Sequence, residues 1–129
     1  MADLELVNAE GLLVLHLETL GPEQASTRIP NPRPAAFYRV QRTGGFEANL
    51  IQETPTLLIE CYAATTFAAW ELANRAWASL QGRTELEVDG VDLTDRTLSL
   101  PVNYPDPVTN QARYTFTLST TITLKESTP

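Results

Sequence analysis

Residues that commonly carry catalysis are scarce in this sequence. It contains one histidine, His16, and one cysteine, Cys61, among 129 residues. Each lies in an apolar stretch and Cys61 has no histidine nearby in sequence, which favours structural side chains over a general base or a thiolate nucleophile. A zinc triad or a disulfide would need a second histidine or cysteine. Because Gly-x-Ser-x-Gly, Walker and dinucleotide-binding motifs do not occur either, we predict no catalytic residue, no metal site and no cofactor.

The acidic segment 83–95 is the other place where side-chain chemistry could concentrate. Glu85 and Glu87 would share a strand face, as acid and base carboxylates can, but sixteen acidic residues produce such pairs by chance. The segment lacks the Asp-x-Asp-x-Asp-Gly order of a calcium-binding loop. We therefore interpret it as a solvated acidic face, either a hairpin turning at Asp89-Gly90 or a loop. A pocket built on it, in a small cytoplasmic enzyme or ligand-binding domain, is the alternative.

Composition predicts one folded domain spanning residues 1–129. The chain is 43% hydrophobic and 19% charged, which is ordinary for a globular protein. It has neither an apolar run of about 18 residues nor the basic start of a signal peptide, so we expect no membrane partner and a cytoplasmic site of assembly. A net charge of −7 argues against tight binding to nucleic acid. That charge would suit a channel that DNA crosses without sticking, or solubility alone.

The N-terminal element is predicted to be a helix. Asn8 can cap it, and Gly21-Pro22 can end it after about Leu20. The leucines between these points are crowded rather than cleanly spaced, so a strand from Leu12 to Leu17 remains an alternative.

Two strands are predicted next along the sheet. Phe37 to Thr43 alternates between apolar and polar residues, and we expect this strand to end in a turn at Gly44-Gly45. Thr56 to Ala63 carries apolar side chains on both faces, which indicates a central strand. Cys61 then becomes a small buried hydrophobic residue.

The segment 28–34 carries three alternating prolines, at positions 30, 32 and 34. Proline fixes its own φ and pushes the preceding residue out of the helical region, so we expect an extended chain. It cannot form an interior strand, because proline donates no backbone hydrogen bond, and should lie on the surface. It is either a stiff docking arm with two arginines or a rigid connector.

A second helix is predicted from Thr65 or Thr66 to about Leu80, with Gly82 beyond its end. One stripe follows helical spacing, and we expect it to pack in the core; its members are Phe67, Trp70, Ala73, Trp77 and Leu80. Glu71 and Arg75 are spaced to form an ion pair on the helix flank. Interleaved alanines would allow a sheet or a second subunit to approach closely.

The C-terminal region is predicted to be a hairpin, with arms at 96–102 and 113–124 and a turn at 104–110. The second arm has the strongest period of two in the chain, with one apolar face and one threonine-rich face that meets water or a partner. Residues 125–129 should be loose. Together the elements predict an α+β fold, a mainly antiparallel sheet packed against two helices.

Three motifs in this order resemble a known family. They are Arg28-Ile29-Pro30-Asn31-Pro32-Arg33-Pro34, then Arg42-Thr43-Gly44-Gly45, then Pro105-Asp106-Pro107 followed by Arg113-Tyr114. The order and spacing are similar to those of the tail terminators of long-tailed phages that infect actinobacteria. The likeness covers about residues 26–80 and 98–124 but not 84–97. Asn110 stands where the family tends to have glycine, and asparagine tolerates the same left-handed conformation.

The resemblance implies a structural virion protein rather than an enzyme. Its copies would form a ring, expected to be a hexamer, at the head-proximal end of the tail. The implied partners are the tail tube protein, whose polymerisation the ring stops, and a head-completion or connector protein. Genomic DNA would pass through the lumen without specific binding. Another neck or connector component, or a tube subunit, is the closest alternative.

Three protruding or stiff segments are the candidate interfaces, because such segments lose little entropy on docking. The candidate residues are Arg28, Pro30, Asn31, Pro32, Arg33, Gly44, Gly45, Pro105, Asp106, Asn110 and Arg113.

Overall fold

A computed structural model describes residues 3–126 of the chain. Over that range the chain forms two α-helices, α1 (Ala9–Glu18) and α2 (Thr66–Ser79). The strands within the same range are β1 (Leu4–Glu5), β2 (Gln24–Ser26), β3 (Phe37–Asn49), β4 (Gln52–Ala63), β5 (Glu87–Val88), β6 (Val91–Asp92), β7 (Thr94–Leu98), β8 (Val102–Asn103), β9 (Ala112–Thr123) and β10 (Lys125–Glu126).

The main sheet has the order β2-β3-β4-β9-β7, and β8 also pairs with β9. All pairings are antiparallel except that of β2 with β3. β4 lies at the centre, as its two apolar faces predict, with β3 on one side and β9 on the other. The predicted α+β fold, one compact domain with a mainly antiparallel sheet and two helices, is confirmed.

Both helices pack on one face of this sheet. The hydrophobic core lies between the helices and that face. Tyr38, Leu57, Ile59 and Phe116 point from the strands into the core, where alternation along β3, β4 and β9 places them. Cys61 is fully buried there, as predicted, and burial raises the pKa of its thiol well above the usual range.

Both helices begin at N-cap residues that the sequence predicts. The Asn8 side chain accepts a hydrogen bond from the Gly11 backbone N–H, and Thr65 accepts one from Ala68. The N-terminal element is therefore the predicted helix and not the strand alternative. His16 Nε2 lies 2.9 Å from Ser79 Oγ, which ties α1 to α2. Burial, with a smaller effect of the Arg96 charge, lowers the pKa of His16 below its usual value.

The predicted buried stripe of α2 is wrong in part. Ala73 and Leu80 are buried, but Phe67 is 67% exposed and Trp70 is 44% exposed. The stripe that faces the sheet shares Ala73 with the predicted one, and its other buried members are the smaller residues Ala69, Leu72 and Ala76. Small side chains let the helix axis approach the sheet closely, and this turns the aromatic rings outward.

The ion pair predicted within α2 is also replaced. Arg75 pairs with Glu23, in the segment before β2, instead of Glu71. Its Nη1 lies 2.8 Å from Glu23 Oε1. An interaction between elements therefore takes the place of the one that helical spacing suggested.

The predicted turn at Gly44-Gly45 is wrong, since β3 continues through both glycines to Asn49. The pairing of β3 with β4 shifts by one residue between Arg42 and Gly44, so the glycines lie at a β-bulge. Gly45 has φ +136°, and a Cβ there would lie 2.5 Å from Thr54 O. Glycine therefore allows the two strands to approach at the bulge, and the chain reverses later, at Leu50 and Ile51.

The remaining sequence predictions concern the surface. The acidic segment forms the β5–β6 hairpin, which turns at Asp89-Gly90, both with positive φ. The predicted loose tail is wrong at Lys125 and Glu126, which pair as β10 with β1; residues 127–129 lie outside the described part of the chain. Across residues 3–126, neither helix is long and apolar enough to cross a membrane.

Candidate functional site

Three segments that are far apart in sequence meet at one end of the sheet. This end is where β3 begins, β4 ends and β9 begins, because antiparallel pairing places Phe37, Tyr62 and Arg113 side by side. The segment 28–34, here called the proline arm, leads into β3, and the turn 104–111 leads into β9. The site is built on the sheet face opposite the helices.

Arg33 joins the proline arm to the turn. Its Nη1 donates to Gln111 Oε1 at 2.6 Å, to Thr109 Oγ1 at 3.3 Å and to Asp106 Oδ2 at 3.4 Å. Its guanidinium carbon also lies 5.7 Å from the ring centre of Tyr62, within cation–π range. One side chain thus fixes a surface made from segments more than 70 residues apart.

Asp106 organises the turn from within. Its carboxylate accepts a hydrogen bond from the Val108 backbone N–H at 2.9 Å and from that of Thr109 at 3.5 Å. These hydrogen bonds, that of Val108 foremost, lower the pKa of Asp106, while burial opposes them. Asn110 adopts φ +60°, the left-handed conformation that asparagine tolerates. The carboxylate is therefore a structural cap for the turn.

Arg113 connects the turn to the sheet through a buried ion pair. Its Nη1 donates to Glu60 Oε2 at 2.6 Å and to the Tyr62 hydroxyl at 3.2 Å, and its Nε donates to Tyr104 O at 2.8 Å. Glu60 Oε1 lies 3.5 Å from Arg39 Nη1. Glu60 Oε1 and Arg39 Nε are both buried, and neither has a hydrogen-bond partner among residues 3–126. One carboxylate thus serves two guanidinium groups.

The structure brings some of the predicted interface residues together and separates others. Arg33, Pro105, Asp106, Asn110 and Arg113 belong to this one site. Arg28, Asn31 and Pro32 are exposed and Pro30 is half-buried along the proline arm, which bends at Asn31 and Pro32 instead of running fully extended. Gly44 and Gly45 lie on the β3–β4 hairpin, away from this end of the sheet.

The proline arm occupies the place in the fold that the rigid-connector interpretation predicts, and the docking role stays a prediction. It runs on the surface without joining the sheet, as its prolines predict, and it leads as a connector into β3. Arg33 is engaged within the chain, so the guanidinium available for docking on the arm is that of Arg28.

Sequence reasoning missed two exposed apolar surfaces. One is the end of the β3–β4 hairpin, with Leu50 and Ile51. The other surrounds a depression of about 290 Å³ lined by Trp70, Asn74, Trp77, Leu100 and Pro101. The adjacent apolar residues Leu50 and Ile51 could have indicated the first of these surfaces. This would have required predicting the turn at these two residues instead of at Gly44-Gly45.

A second depression, of about 380 Å³, lies beside the acidic segment. Glu85, Asp92 and Asp95 line it together with Arg96. The Arg96 guanidinium donates to four backbone carbonyls, those of Leu80, Gln81, Thr84 and Leu93. This arginine therefore holds the loop that forms the depression. Within residues 3–126 no three His, Cys, Asp or Glu side chains are grouped to hold a metal ion.

Comparison with known proteins assigns no family or function to this site. No protein-family model matches the chain, and no curated protein sequence does.

Proposed function

We propose that this chain is a structural virion protein, a tail terminator of a long-tailed bacteriophage. Its copies close into a ring, taken as a hexamer, on the head-proximal end of the tail tube. The ring stops polymerisation of the tail tube protein and presents a surface to a head-completion or connector protein. The protein assembles in the host cytoplasm and remains in the virion.

One observation carries this proposal: two of the motifs behind the resemblance form a single rigid surface. Arg33 and Arg113 use their donors inside that surface, on Gln111, Glu60 and Tyr104. Such a surface offers a fixed shape and keeps the charged groups engaged. Such a surface suits docking, because a surface that is already ordered before binding loses less conformational entropy on association.

The charge of the chain supports the same role. Genomic DNA must pass through the ring, and a net charge of −7 disfavours retention of a phosphate backbone in the lumen.

The test is polymerisation of purified tail tube protein of the same phage, with and without this chain, imaged by negative-stain electron microscopy. We expect tubes that carry a ring at one end, and we expect the mean tube length to fall as more of the chain is added. Unchanged tube lengths and bare ends would overturn the proposal. Incorporation along the tube wall would instead identify a tube subunit.

A ligand-binding or enzymatic function is the second candidate, because Glu85, Asp92 and Asp95 line a depression of about 380 Å³. Titration with metal ions and small molecules, followed by calorimetry, separates the two. Saturable binding that is lost in Asp92→Asn would favour this second candidate.

A further inference from the structure

We draw no further inference here: the strongest candidate, the exposed apolar surface that Phe46, Leu50 and Ile51 form at the end of the β3–β4 hairpin, carries nothing because nothing in the structure of residues 3–126 shows what covers it.

Discussion

The buried carboxylate of Glu60 gives the sharpest test of how the site is held together. Its side chain is 6% exposed and lies 2.6 Å from Arg113 Nη1, whose side chain is 10% exposed. Glu60 Oε1 is also 3.5 Å from Arg39 Nη1. The change Glu60→Leu removes the negative charge and leaves both guanidinium groups without a counter-ion.

The expected cost follows from desolvation. Removing one partner of a buried ion pair leaves an uncompensated charge and costs about 3–5 kcal/mol of unfolding free energy. With a urea m-value of about 2 kcal/mol/M, the unfolding midpoint should fall by roughly 2 M. The double variant Glu60→Leu with Arg113→Met should recover most of this loss, because apolar replacement of a whole buried pair is often close to neutral.

Urea unfolding followed by tryptophan fluorescence, at a protein concentration too low for self-association, measures these values. Glu23→Gln is the control, since its ion pair with Arg75 is more exposed, at 19% and 40%, and should contribute about 1 kcal/mol or less. If Glu60→Leu costs no more than Glu23→Gln, the charge is not desolvated as the geometry requires. If the double variant is as unstable as the single one, the loss comes from packing or from the Arg39 guanidinium, which the double variant still leaves without Glu60, and not from Arg113.

Two further predictions concern the backbone and the pH dependence of stability. Gly45→Ala should lower the unfolding free energy by about 3 kcal/mol, because its φ is +136° and a Cβ would lie 2.5 Å from Thr54 O; Gly44→Ala, with nothing within 4 Å, should change it little. A native protein in which Gly45→Ala is as stable as Gly44→Ala would contradict the bulge geometry. The lowered pKa of Asp106 contributes stability that is present above its unfolded value of about 3.9 and lost as pH falls through its folded pKa. Melting temperatures recorded from pH 7 to 2 should therefore decline less steeply below about pH 4 in Asp106→Asn, and parallel curves would refute the link.

The local pattern of the sequence was enough for the types of the longer elements. Asn8 and Thr65 mark the starts of both helices because a short polar side chain there accepts an unpaired helix N–H. The alternation in the last long strand predicts β9, with Phe116 and Leu118 buried on one face. Each of these signals depends on neighbours within a few residues.

What the sequence by itself determined is therefore the α+β class, the central strand and the buried Cys61, since these follow from short-range periodicity and apolar content. The tertiary structure decided which stripe of α2 faces the sheet, because aromatic and alanine stripes both have helical spacing and only close packing against β4 and β9 selects the smaller side chains. It also decided that β3 continues past Gly45 and that Arg33 meets Asp106. Strand register and contacts between distant segments depend on the whole chain, and no window of neighbouring residues contains them.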